Sequence, residues 1–582
     1  MNFLRNLIAA IIGFFIAIFL LLLVFIGIAA AFGNEEITLV KPNSVLNLDL
    51  SIPIKDYAPV ENNPFVEAFD LADEKLGLNR IITAIENAKT DDHIKGITIQ
   101  TSFVNAGIAQ TQAIRDKIAA FKESGKFVYA YNNVYNQKNY YLSSVADSLF
   151  LNPIGAIDFK GLTTEILYYK DFEDKYGIKM EVIRHGKYKS AVEPYLSNKM
   201  SEANREQTTS FLQSIWSEIL EDISESRKIP IPTLNNIATN SLGRDADKAM
   251  SNQLIDAAIY EDEFDAKVKI ASRTAEINMI SINDYIKAGK GRKVVKTSNK
   301  IAVIYAQGQI IYGKGSEEMI GQDMINKALK KAREDHSIKA IVLRVNSPGG
   351  SALASELIWR ALELTKKEKP LVVSMGNLAA SGGYYIACNA DKIIAEPTTI
   401  TGSIGVFGAV PNVHQLAENI GINAEQVSTN KSAYYSPFEP ISKQFYEVTK
   451  EGVENIYKTF VNRVAAGRNM TFEEVDNVAQ GRVWTGKEAV NLGLVDQLGS
   501  LEDAIQVAAE LAEIDSYRIR NYPNYKKDLK EALKLSPFAK VTKEEVLQEA
   551  LGEESYRLYK NVKDMKKLKG IQARLPFIFQ IN

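Results

Sequence analysis

The sequence predicts an α/β protein: two tandem, related domains behind an N-terminal transmembrane helix. Three observations carry that expectation. Short apolar, β-branched runs alternate with segments of helical spacing, several blocks recur at one constant spacing, and one long stretch near the start has no polar side chain. The 582 residues leave room for several domains. Hydrophobic residues make up 46% and charged residues 24%, as in a chain that folds around a core. Lys and Arg total 69 against 71 Asp and Glu, a balance that gives no argument for a nucleic-acid partner. The single cysteine, Cys388, excludes an intramolecular disulfide and reads as a small buried residue near a helix end.

The first element is residues 7–32, which contain no charged, amide or hydroxyl side chain. A bilayer core takes about 20 apolar residues as helix, so this stretch can span it. It exceeds the apolar core of about 7–15 residues usual in a cleavable signal peptide, although Ala29-Ala30-Ala31 imitates a cleavage site. Arg5 precedes it and Glu35 and Glu36 follow. That arrangement favours a cytoplasmic N-terminus with the rest of the chain outside, against which Lys41 and Lys55 weigh.

The next two elements are copies of one another. IKGI at 94–97 returns as IKAI at 338–341, Tyr140-Tyr141 as Tyr384-Tyr385, and ADSLFLNP at 146–153 as ADKIIAEP at 390–397, all at one spacing. A constant spacing over several blocks indicates an internal duplication. In the second copy 301–307, 338–345 and 371–375 read as strands, with helices over 322–333 and 354–367 between them. Such βαβ alternation predicts a largely parallel sheet buried under helices. The basic segment 287–300 lacks an apolar face and reads as the linker. The expected division is 1–35 anchor, 36–295 first copy, 296–525 second copy, and 526–582 a charged, mostly helical extension ending in the apolar LPFIF.

Chemistry concentrates in the second copy. In NLAASGGYYIA, 377–387, a hydroxyl sits among small residues at a helix start. The first copy places Gln137, Lys138 and Asn139 opposite Ser381, Gly382 and Gly383, so packing alone does not demand the small-residue turn. The N–H of Gly382 would be a free donor at that helix start. The turn Pro348-Gly349-Gly350 between a strand and a helix can aim a second N–H into the same cleft. Two such donors beside one hydroxyl suit an oxyanion in acyl transfer. A serine nucleophile needs a base. None of His93, His185, His336 and His414 lies in a local catalytic motif, and His93 and His336 occupy matching positions that suggest a shared structural role. A buried lysine with a lowered pKa is the alternative.

NLAASGGYYIA, TGSIG at 401–405, NSPGGS at 346–351 and GKYKSAVEPY at 186–195 together resemble the S49 serine peptidases, in the long, duplicated, membrane-anchored bacterial form of the signal peptide peptidase A (protease IV) family. The resemblance spans nearly the whole chain. It implies two ClpP/crotonase-like domains, a homotetramer facing a bacterial inner membrane from the periplasmic side, and hydrolysis of apolar peptides, signal peptides among them. It implies Ser381 as nucleophile, Lys189 as general base, Ser403 as the lysine's hydrogen-bond partner, and N–H donors from Gly382 and from Gly349 or Gly350. Lys431 in NKSAYYSP echoes Lys189 and is the rival base, as in short, unduplicated relatives. No HExxH pair or GxxxxGK[ST] loop is present, so no metal or nucleotide cofactor is expected. Two other readings stay open at this level: a crotonase-type enzyme acting on acyl-CoA thioesters, and a non-catalytic membrane scaffold.

Overall fold

Strands whose Val, Ile and Leu run without interruption are suited to burial on both faces of a parallel sheet. Ile338–Ser347 and Leu371–Ala380 are of this kind, and in the former only Lys339 is exposed. The computed structural model describes residues 2–32, 39–59, 75–274, 276–525 and 571–574. Its first sheet runs, in spatial order, Ala257–Ala258, Ser148–Asp158, Phe127–Asn136, Ile94–Ile99, Ser44–Leu48 and Asn278–Ser281, all parallel. The second sheet repeats that order with Gln497–Leu498, Lys392–Ala395, Leu371–Ala380, Ile338–Ser347, Lys300–Gln307 and Arg518–Tyr522.

The duplication extends to single hydrogen bonds. Tyr140 and Tyr384 are wholly buried, and their hydroxyls donate to the carbonyls of Leu254 and Leu494 at 3.1 and 2.8 Å. Asp256 accepts the N–H of Leu149 and pairs with Arg227; Asp496 accepts the N–H of Ile393 and pairs with Arg468. A buried phenol requires such a partner, because leaving it unpaired costs roughly 1–3 kcal/mol.

Helices Gln322–Glu334 and Ala352–Lys366 lie where the periodicity places them. The second starts two residues before the predicted 354, because the Ser351 hydroxyl accepts the N–H of Ala354 and caps it. Cys388 is a free, buried residue just after helix Gly382–Ala387. A helix covers Asn2–Phe32. Among the described residues no helix is long and apolar enough to cross a membrane.

The copies meet through shared structure. Strand Lys179–His185 of the first half pairs antiparallel with Val406–Asn412 of the second. Asp56 and Arg344, both almost wholly buried, form an ion pair at 2.8 Å across the junction. The core of the first copy also includes Ala380, Ile400 and Val483 of the second. Of the C-terminal extension, 527–570 and the LPFIF segment lie outside the described residues. Ile571–Arg574 form a strand between Gly349–Ser351 and Val406–Asn412.

Candidate active site

Ser381 follows strand Leu371–Ala380 and caps the short helix Gly382–Ala387. Its backbone has φ 56° and ψ −117°, a conformation that L residues avoid, at a cost of about 1–3 kcal/mol. Its own N–H donates to Gly402 O at 2.8 Å, and its carbonyl accepts the N–H of Tyr385. The side chain makes no capping bond. The turn thereby holds the hydroxyl away from the helix and toward the junction of the two copies. Against the expectation drawn from the first copy, packing does demand glycine at 383, because a Cβ there would approach Ser347 O to 2.7 Å.

Lys189 arrives from the first copy. It precedes the 3-10 turn Ser190–Tyr195, and the loop before it is seated on the turn 479–482 of the second copy. Tyr188 donates its N–H to Gln480 O at 2.8 Å, and Gly481 donates to Ile404 O at 2.8 Å. A Cβ on Gly481, where φ is 81°, would lie 2.6 Å from Lys189 N, so glycine is required for this approach. Lys189 Nζ ends 2.8 Å from Ser381 Oγ, 3.0 Å from Ser403 Oγ and 3.1 Å from Ser403 O. Lys189, Ser381 and Ser403 all have 0% exposure. Burial pushes the lysine pKa well below its ordinary value. Ser403 also has a positive φ, 50°, and its N–H donates to Arg482 O at 2.6 Å.

The turn Pro348-Gly349-Gly350 leaves the strand next to the one that carries Ser381. Gly349 and Gly350 have φ of 93° and 157°, and the N–H of Gly349 donates to Ser347 Oγ at 3.1 Å. A Cβ on Gly350 would lie 2.0 Å from Ile310 O, so a side chain is excluded there. Lys431 is exposed in the irregular stretch before helix Lys443–Arg468. His93, His185 and His414 pair with Asp91, Glu454 and Phe438 O rather than with Ser381. In the first copy, Gln137 accepts from the N–H groups of Lys160 and Gly161 and donates to Gly161 O, closing the position that Ser381 opens in the second.

No pattern in the sequence marks the strand Ile571–Arg574 in this region. It pairs antiparallel with both neighbours, Gly349 opposite Arg574 and Phe407 opposite Gln572. Four residues without a recurrent pattern, at the end of a charged segment, offer nothing for periodicity to detect. Nor could composition indicate the buried pair Asp56–Arg344. Arg344 also donates to Ser374 Oγ and Met375 O, joining the strand of the turn to the strand of the serine.

The sequence model of peptidase family S49 matches residues 120–274 and 363–515. Protease 4 of Haemophilus influenzae is 38% identical over 450 residues, which cover 75% of this chain and 73% of that protein. Protease 4 of Salmonella typhi is 36% identical over 542 residues, covering 90% and 86%. A protein named putative signal peptide peptidase SppA, of Enterococcus faecium, is 36% identical over 234 residues, covering 39% and 68%.

Proposed function

The chain belongs to peptidase family S49 and is a serine protease; from that premise we propose that it is a membrane-anchored endopeptidase working through a Ser381–Lys189 dyad on apolar peptides, cleaved signal peptides among them. The observation that carries the dyad is the buried Lys189 Nζ at 2.8 Å from Ser381 Oγ. A neutral amine at that distance accepts the hydroxyl proton as the Oγ–carbonyl carbon bond forms. The oxyanion is met by the N–H of Gly382 and an N–H of the PGG turn. The lysine ammonium then returns its proton to the leaving amine. Water, deprotonated by the same lysine, hydrolyses the acyl-enzyme. Ser403, through its hydroxyl and carbonyl, keeps the amine directed at Ser381.

An extended peptide suits the sheet edges that strand 571–574 occupies. The edges at Gly349–Ser351 and Val406–Asn412 accept strand 571–574 in antiparallel pairing, the mode by which a peptide adds to a sheet. The exposed position of Lys431, away from the Ser381–Lys189–Ser403 cluster, disfavours it as the base. The same reading places residues 7–32 in a bacterial inner membrane, the two copies on its periplasmic side, and four chains in the assembly.

The test is labelling by a fluorophosphonate, with cleavage of a synthetic signal peptide. The wild-type protein is expected to do both, and Ser381→Ala neither. Retained cleavage by purified Ser381→Ala removes this serine from the mechanism.

A further inference from the structure

Lys189 is a flexible side chain on a loop of one copy, and Ser403 stands on a strand end of the other. Their separation must hold to a few tenths of an ångström for the amine to stay on Ser381. One side chain touches the main-chain supports of both. Gln207 lies on helix Glu202–Arg227, which Ser201 caps, and is wholly buried. Its Nε2 is 3.0 Å from Tyr188 O and 3.0 Å from Ser190 Oγ, the residues on either side of Lys189. Its Oε1 accepts the N–H of Val483 at 3.3 Å. Val483 stands opposite Gly402, the residue before Ser403, in the antiparallel pair of Ile400–Gly402 with Val483–Thr485.

We propose that Gln207 is the positioning residue that fixes the Lys189 loop in register with the Ser403 strand, and so sets how dry and how close the general base is. The inference rests on the Ser381–Lys189 reading above. Its physical basis is a count of partners. A primary amide has two N–H groups and one carbonyl. Three acceptors, Tyr188 O, Ser190 Oγ and Asn204 Oδ1, surround the nitrogen within 3.1 Å, and the carbonyl faces Val483. No apolar residue of that size can replace this set without leaving the N–H of Val483 unpaired, although Tyr188 O keeps the N–H of Ser190 at 2.8 Å. Asn204 is itself held by Glu193 Oε2 at 2.6 Å, so the amide has a fixed floor.

Other charged groups approach the loop, and each remains in the variants tested. Arg184, on the strand Lys179–His185, donates to Lys189 O at 3.0 Å. Glu206 and Arg482 meet at the Tyr188 hydroxyl on the outer side. That outer clasp is half open to solvent on its Glu206 side and joins the same two segments less firmly. If Gln207 is removed, the lysine loop can move away from the 400–403 strand and water can reach the amine. Hydration favours the ammonium, so the lysine pKa rises toward its ordinary value. The base is then both displaced and charged at neutral pH.

The experiment follows the rate of Ser381 labelling by a fluorophosphonate from about pH 6 to about pH 10, a range that brackets a lowered lysine pKa. It uses the full chain as wild type, Gln207→Met and Gln207→Glu. Methionine keeps the length and removes every hydrogen bond. Glutamate keeps the acceptor for Val483 and loses the donors. For both variants we expect a neutral-pH rate lower by roughly 10- to 100-fold. We also expect the rising limb of the pH profile to move about one unit or more to the alkaline side. KM for a peptide should change little, because the sheet edges at Gly349–Ser351 and Val406–Asn412 are left unchanged. A wild-type profile in either folded variant, with only a lowered melting temperature, overturns the proposal; should methionine not fold, the glutamate variant carries the test. Lys189→Ala and Ser381→Ala serve as references. If wild type labels slowly and independently of Lys189, the dyad reading itself has failed. If labelling depends on Lys189 and not on Gln207, only this inference has.

Discussion

Lys189→Met separates a neutral lysine from a charged one by stability as well as by activity. The amine is wholly enclosed, 2.8 Å from Ser381 Oγ, and burial drives its pKa well down. In the unfolded chain the same lysine titrates near the usual ~10.4. Between the lowered folded value and the unfolded value, the unfolded state holds the extra proton, so stability rises with pH through that window. Working at pH 8 with a neutral amine means that folding strips a proton at a pH about 2.4 units below the unfolded pKa. At about 1.36 kcal/mol per unit this costs about 3 kcal/mol. Methionine removes that cost and also loses the bonds to Ser381 and Ser403, at about 1 kcal/mol each. The two effects nearly offset at pH 8, so a single melting temperature decides nothing. The slope decides. From about pH 8 to about pH 10 the wild type should gain about 1.36 kcal/mol per unit relative to Lys189→Met. Other lysines with lowered pKa values, Lys126, Lys138 and Lys369, are common to both proteins and cancel in the difference. The assay is urea unfolding at each pH, paired with fluorophosphonate labelling. The labelling rate should rise through the folded-state pKa and be abolished in Lys189→Met. Lys189→Arg should not restore it, because guanidinium keeps its proton. Parallel stability curves for the two proteins would show Lys189 charged in the fold and refute its role as base.

Three further outcomes are expected. Ser403→Ala removes one of the two Ser403 contacts to the amine and leaves the carbonyl, so kcat should fall by roughly 10- to 100-fold with KM nearly unchanged, measured on an apolar peptide. Glu396 is buried with its carboxyl pKa raised to about 8 by desolvation, so the folded state holds a proton that the unfolded state releases above its ordinary value of 4.5. Stability should therefore fall as pH rises from 4.5 to about 8, and Glu396→Gln should flatten that fall in urea unfolding; an unchanged slope refutes the assignment. Deleting residues 571–582 opens the sheet edges at Gly349–Ser351 and Val406–Asn412, so KM for an extended peptide should drop; an unchanged or higher KM shows that this strand does not compete with peptide.

The strand and helix order was legible because parallel strands buried on both faces leave long β-branched runs, as in IKAIVLRV, and because the duplication allowed each block to be read twice. Ser381 was legible by the same internal comparison, since Gln137 stands in its place in the first copy. Lys189 was not legible from residues alone. Its contact with Ser381 spans 192 positions, and no local pattern distinguishes it from a surface lysine; only the family resemblance singled it out over Lys431. The positive φ values of Ser381 and Ser403 left no trace either, because serine is common in turns of ordinary geometry. Strand 571–574, the Asp56–Arg344 pair and the Gln207 contacts depend on how the halves dock, which composition does not encode.

That docking explains how the proposed nucleophile and the proposed base come to sit in different copies. A lysine stays neutral only where water is excluded on every side, and a loop at the surface of one domain cannot provide that. Here the second copy supplies the missing walls: Gly481 lies against the Lys189 backbone, Gly405 against its side chain, and Ser403 caps the amine. The first copy cannot return the arrangement, because Gln137 has closed its own turn onto Lys160 and Gly161. Separating the copies would also part Arg344 from Asp56, which pair at 2.8 Å across the junction. Arg344 further ties the strand of the PGG turn to the strand of Ser381. Loss of the junction would therefore displace the base and loosen the oxyanion turn together, so the halves are expected to be inactive apart and to regain activity only as a reassembled pair.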